Sequence, residues 1–199
     1  MADRLIIGMT GASGAIYGIR LAQLLRDIDI ESHLIMTRSA EITLAHETDW
    51  KVSAVRELAD YWYKIDDIGG ATASGSYRTL GMVVAPCSMR TAAELASGIT
   101  SNLLTRSADV IIKEQRPLVL MVRETPLHSL HLRNLRILSD LGVIVAPPVP
   151  AFYARPQSLE DMIDHTLGRV LDLFDIDSGT VARWGERVGK KGHNRGRDE

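Results

Sequence analysis

The sequence predicts a doubly wound α/β protein, a parallel sheet with helices on both faces in a three-layer sandwich. Three observations carry this. Short apolar runs alternate with helix-periodic segments five times along the 199 residues. The runs are apolar throughout rather than at every second residue, the pattern of strands buried on both faces. The first run enters its helix through a glycine-rich turn, "MTGASGAIYG", the kind of connection that exposes helix amides to an anion.

"RLIIGM" is the first strand, and Ile16, Ile19, Leu21, Leu24, Leu25 and Ile28 give the following segment a helical period. "SHLIMT" is a second strand, followed by a short helix in "SAEITLAHET". "SAVRELADYWY" reads as another helix with Ser53 as its N-cap. The glycine-rich "DDIGGATASGSYRTLG" has no periodicity and is a connection. "MVVAPCS" is a strand, with helices in "RTAAELAS" and "NLLTRSADVIIKEQ" after it. "PLVLMVRE" is a strand, "SLHLRNLRILSDLG" a helix closed by Gly142, and "VIVAPPVP" a strand ended by prolines. "LEDMIDHTLGRVLDLF" is the last helix. Residues 1–186 are expected to form one domain, and the polar tail, 187–199, to be disordered.

Composition excludes several classes. A formal net charge of -2 offers no field for nucleic acid or an anionic membrane. No apolar stretch approaches the roughly 20 residues of a membrane span, and the amino-terminal apolar run is too short for a signal-peptide core. The one cysteine, Cys87, permits no disulfide within the chain, so a reducing, cytoplasmic setting is expected. At the end of an apolar strand it reads as a small buried residue rather than a nucleophile.

In a doubly wound fold ligands bind beyond the carboxyl ends of the strands. The residues placed there are Ser13, Thr37, Ser88, Arg123, Glu124, Phe152 and Tyr153. "GASG" is either a tight strand-to-helix turn or an anion cradle, and Ser13 adds a hydroxyl that a turn does not need. The spacing G-x-x-G-x-x-x-G departs from the dinucleotide fingerprint, and the second strand ends in Thr37 and Arg38 rather than a ribose-binding acid. No Gly-Lys-Ser/Thr of a P-loop occurs. A mononucleotide such as FMN fits better than NAD. Ser88 and Thr91 suit the same ligand, and equally suit a helix N-cap. Among the cations, Arg123 stands at a strand end. Arg106, Lys113 and Arg169 read as helix-surface charges on sequence alone. Glu47 and Glu124 are the carboxylates placed to move protons. His128 and His131 share a helix face but have no third ligand nearby, which favours an exposed helix over a metal site.

"MTGASGAIYG", "HETD", "PCSMRT", "TRSADVIIKEQRPLVLMVRETPLH", "PPVPAFYARPQSLEDM" and "RWGE" together resemble the flavin prenyltransferases of the UbiX type. Some relatives in that family carry the label of an aromatic-acid decarboxylase subunit. The resemblance implies a flavodoxin-like, Rossmann-like domain that joins the prenyl group of dimethylallyl phosphate to N5 and then C6 of reduced FMN, without metal. The prenylated FMN serves a separate UbiD-type decarboxylase. It implies FMN contacts from Gly11, Ala12, Ser13, Thr37, Ser88, Met89, Arg90, Thr91 and Arg123. Lys113, Arg123, Tyr153 and Arg169 would hold the prenyl phosphate, with Arg106 and Trp184 near a subunit interface of a homododecamer. Ser13, Glu47 and Glu124 match the family's proton-handling positions. Thr37-Arg38 replaces an expected Ser-Lys and keeps the hydroxyl. The alternatives are an FMN-dependent decarboxylase of the cysteine kind, whose P-x-M-N-x-x-M-W stretch is missing, and a flavin carrier without chemistry.

Overall fold

The computed structural model describes residues 3–186, 188 and 189. The chain divides into two compact units, Met1–Pro148 and Val149–Glu199, where the sequence predicts one domain over 1–186. The tail expected to be disordered lies outside the described residues except for Val188 and Gly189.

The first unit holds a six-stranded parallel sheet. Its strands are β1 (Arg4–Met9), β2 (Glu31–Met36), β3 (Tyr61–Tyr63), β4 (Gly81–Cys87), β5 (Leu118–Val122) and β6 (Ile144–Val145), in the spatial order β3-β2-β1-β4-β5-β6. Its helices are α1 (Ala15–Asp27), α2 (Arg38–Glu47), α3 (Val52–Arg56), α4 (Met89–Ala96), α5 (Leu103–Lys113) and α6 (Ser129–Asp140). The predicted class is what forms. The order 3-2-1-4-5-6 reverses between β1 and β4, so a crevice opens at the carboxyl ends of those two strands.

Burial on both faces explains the uninterrupted apolar runs. Ile6, Met82, Val84, Leu118 and Leu120 pack in one cluster with Leu104, Ala108 and Ile111 of α5 and Leu138 of α6. On the other face α1 approaches so closely that a Cβ on Gly18 would stand 2.5 Å from the Ala85 carbonyl and 2.7 Å from Met9 Cγ. The third glycine of "MTGASGAIYG" therefore serves helix-on-sheet packing. α5 starts in a capping box. The Asn102 side chain accepts from the Thr105 amide at 3.1 Å, and Thr105 Oγ1 accepts from the Asn102 amide at 3.3 Å.

Two segments depart from the sequence reading. The helix predicted over 53–63 is only Val52–Arg56, with Lys51 rather than Ser53 at its N-cap position and no side-chain cap bond, and Tyr61–Tyr63 becomes edge strand β3. Aromatic residues favour a pleated surface, and the open edge of β2 supplies the partner, with His33 opposite Tyr61. The His33 ring stacks on Tyr61 at 5.0 Å and bonds the Tyr63 hydroxyl at 2.9 Å. The strand predicted over 143–150 shrinks to Ile144–Val145, because Pro147 and Pro148 have no amide to extend the ladder.

The second unit contains a 3-10 turn at Phe152–Ala154 and α7 (Leu159–Leu171), which continues as a 3-10 turn at Asp172–Phe174. Phe152 and Tyr153, expected at a strand end, lie in that first turn, beyond the shortened β6. Ser158 caps α7, accepting from the Asp161 amide at 3.0 Å.

Candidate functional site

β1 and β4 are stitched together where the sheet order reverses. Buried Thr10 donates its hydroxyl to the Pro86 carbonyl (2.9 Å) and accepts from the Ser88 amide (2.8 Å). Beside this bridge lies a cleft of about 380 Å³, walled by Thr10 and Gly11, Thr37 to Ser39, and Ser88, Arg90 and Thr91, with Asp66 and Glu94 also lining it. The segments after β2 and β4 each begin a helix here. Thr37 caps α2 by accepting from the Ala40 amide (3.1 Å), and Ser88 caps α4 by accepting from the Thr91 amide (3.3 Å). The cap and the ligand readings of these hydroxyls are thus compatible. Each cap takes one amide and leaves the earlier first-turn amides without an intrahelical partner.

Two helix N-termini, five hydroxyl residues and the arginines 38 and 90 form a donor set suited to a phosphate monoester. At Gly11 the backbone runs so close to α2 that a Cβ would sit 2.4 Å from Ser39 Cβ. Arg38 reaches Asp66 at 3.4 Å and Arg90 reaches Glu94 at 3.0 Å. Met89 turns its side chain into the core, so only its backbone can serve a ligand. Ala12 is likewise buried, and its backbone continues the turn.

Glu47, the last residue of α2, crosses to α1 and accepts from the Gly14 (2.8 Å) and Ala15 (3.0 Å) amides. Burial alone pushes its carboxyl up. Hydrogen bonds from Ser13 and from those two amides, with the charge of Arg123, outweigh burial and hold it below the usual carboxylate range. Ser13 and the charge of Arg123 thus both act on Glu47. The Arg123 amide donates to the Cys87 carbonyl at 3.2 Å, which fixes the chain as it leaves β5. Glu124 is exposed and accepts from the Thr125 amide at 3.0 Å. Tyr17, in the first turn of α1, feels the same arginine and was not among the residues the sequence singled out. Burial raises its phenol against the opposing charge of Arg123. No local signal marks it, since a tyrosine on an amphipathic helix is unremarkable.

The remaining expected residues are held by local partners. Lys113 ends α5 at the amino edge of the sheet, paired with Glu114 and beside Gly75, whereas Arg123 leaves the carboxyl edge. Arg106 sits in the first turn of α5 and bonds Asp109 at 2.8 Å. In the second unit, Arg169 bonds Asp172 at 2.5 Å, and Asp172 also receives Arg183 at 2.9 Å. Tyr153 lies edge-on to Trp184, their ring centroids 5.6 Å apart. Cys87 is fully buried and its thiol is pushed up to about 12 by burial, as expected of an inert residue. His128 caps α6 through Nδ1, which accepts from the His131 amide at 3.3 Å, and the two rings stack. Among the described residues no group of three His, Cys, Asp or Glu side chains converges as a metal site.

A doubly wound α/β protein with a mononucleotide-sized anion cleft at its switch point is the class that fold and site define. Residues 2–184 match the Flavoprotein family. Flavin prenyltransferase UbiX of Escherichia coli (strain K12) is 53% identical over 184 residues, spanning 91% of this chain and 97% of that protein. The crystal structure of AnUbiX (PadA1) in complex with FMN and dimethylallyl pyrophosphate superposes with a TM-score of 0.91 at 48% identity, covering 92% of this chain and 98% of that one. A dodecameric FMN-dependent UbiX-like decarboxylase from Escherichia coli O157:H7 follows at TM-score 0.88 and 44% identity, covering 91% and 98%. The chain belongs to the flavoprotein family and, within it, to the flavin prenyltransferases of the UbiX type.

Proposed function

We propose that the protein transfers the dimethylallyl group of dimethylallyl phosphate to reduced FMN, first at N5 and then at C6, releasing inorganic phosphate. The product, prenylated FMN, is the cofactor of a separate UbiD-type decarboxylase. The observation that carries this reading is the phosphate-suited cleft at the switch point, in a chain 53% identical to a flavin prenyltransferase over nearly its whole length. Reduced FMN supplies the nucleophilic ring and one face of an aromatic wall.

The chain's residues supply binding, charge and proton movement. Gly11, Ala12, Ser13, Thr37, Ser88, Met89, Arg90, Thr91 and Arg123 hold FMN, Met89 through its backbone. Lys113, Arg123, Tyr153 and Arg169 hold the prenyl phosphate, supported by Arg106 and Trp184. As the phosphate departs, its growing charge meets fixed cations and a phenol, which stabilise it without reorganising. Glu47, held ionised, and Ser13 bonded to it form a proton acceptor, and exposed Glu124 is a second. Lys113 and Arg123 of one chain stand at opposite sheet edges, so the Lys113 at a given site comes from a neighbouring copy in a homododecamer. No described helix is long and apolar enough to cross a membrane, and we place the enzyme in the cytoplasm with residues 1–186 as its one FMN-binding prenyltransferase domain.

Anaerobic incubation with reduced FMN and dimethylallyl phosphate, followed by mass spectrometry of the extracted flavin, tests the proposal. A flavin heavier by one prenyl unit, formed only with both substrates present, is expected. Tightly bound but unmodified FMN would point instead to a carrier or a thiol-oxidising decarboxylase.

A further inference from the structure

Tyr153 sits in a short turn whose neighbours are exposed. Its neighbour Phe152 is 77% exposed, Val149 is 70% exposed, and Tyr153 is itself 43% exposed. Two rings contact it edge-on. Trp184 does so at 5.6 Å and 88°, but it is 66% exposed. His165 of α7 does so at 5.6 Å and 81°, and it is 6% exposed. His165 is thus the buried member of the trio, on a braced platform. Three residues along the helix, a Cβ on Gly168 would stand 2.5 Å from Thr180 Oγ1, and Thr180 donates to the Asp164 carbonyl at 3.0 Å. His165 Nε2 is buried with no hydrogen-bond partner among the described residues, so a bond through that atom is not what the side chain contributes. Its ring is.

We infer that His165 is a positioning residue: its buried ring fixes the orientation of the Tyr153 ring, and through it the phenol offered to the prenyl phosphate. The inference rests on the proposed role of Tyr153. An edge-to-face contact sets both the angle and the distance of the partner ring. Without it, a half-exposed tyrosine on a short turn samples several rotamers and loses affinity for whatever its hydroxyl binds.

The test compares His165→Leu with His165→Phe. Both fill the site and remove the unpaired nitrogen, and only the second keeps a ring. His165→Leu is expected to raise KM and the calorimetric Kd for dimethylallyl phosphate by about 3–10-fold, the range an aromatic pair supports, with kcat and FMN affinity unchanged. His165→Phe should stay within about twofold of the parent on the same scale. Equal impairment of both variants, or an unchanged His165→Leu, overturns the inference. Tyr153→Phe reports on the underlying reading separately: unchanged dimethylallyl phosphate binding in that variant removes Tyr153 from the site, and the inference with it.

Discussion

Glu47 closes one helix and serves another. Its carboxylate occupies the Gly14 and Ala15 amides, so the positive end of α1 is already satisfied by the protein, and a ligand at this turn must use Gly11 to Ser13. The carboxyl is depressed by Ser13, the two amides and Arg123 against the upward push of burial. A group with a lowered folded pKa stabilises the fold above its unfolded value, about 4.3 for Glu, and loses that contribution as pH falls through the folded value. Glu47→Gln should therefore cost about 0.5–1 kcal/mol at neutral pH, the low end for a cap because the carboxylate is exposed. Denaturant unfolding should show the difference from the parent narrowing as pH falls below the carboxylate range. A pH-independent difference would mean that the charge contributes nothing. At this scale the sequence was legible by residue type: Thr37 and Ser88, picked out at strand ends, both line the cleft. The trans cap was not, because Gly14 and Glu47 are 33 residues apart.

Among the elements, α1 and β4 approach each other closely. Gly18 faces the Ala85 carbonyl, and added bulk there meets backbone rather than a flexible side-chain end. Gly18→Ala should lower stability by about 1–3 kcal/mol, as overpacking does. It should also weaken FMN binding, because α1 carries the turn that lines the site. Thermal unfolding and flavin fluorescence titration check the two effects, and a variant with parental values for both would show that α1 can shift freely. Helix periodicity and apolar strands were readable because each reflects burial of the segment itself. β3 was not: Tyr61 to Tyr63 extend a plausible helix pattern, and only the open edge of β2 makes them a strand.

For the molecule as a whole, Leu127, Leu130 and Leu132 at the start of α6 are 40%, 58% and 54% exposed, an apolar group that calls for a covering surface. On the proposed prenyl-phosphate site, the separation of Lys113 from Arg123 in one chain also calls for a second copy. Sedimentation velocity should find a large homo-oligomer, and Leu130→Asp should shift it to smaller species with loss of prenyl transfer. An unchanged assembly in that variant would place the interface elsewhere.

The sequence by itself determined the order of elements other than β3, the parallel doubly wound sheet, the glycine turn at its switch point and a buried Cys87. These follow from local periodicity, chain length and the backbone demands of single residues. Only the tertiary structure decided that Glu47 caps α1, that Tyr61 to Tyr63 form an edge strand, and that Lys113 and Arg123 leave opposite sheet edges. Each of those depends on which distant segments the closed chain brings together, and no local pattern of residues encodes that pairing.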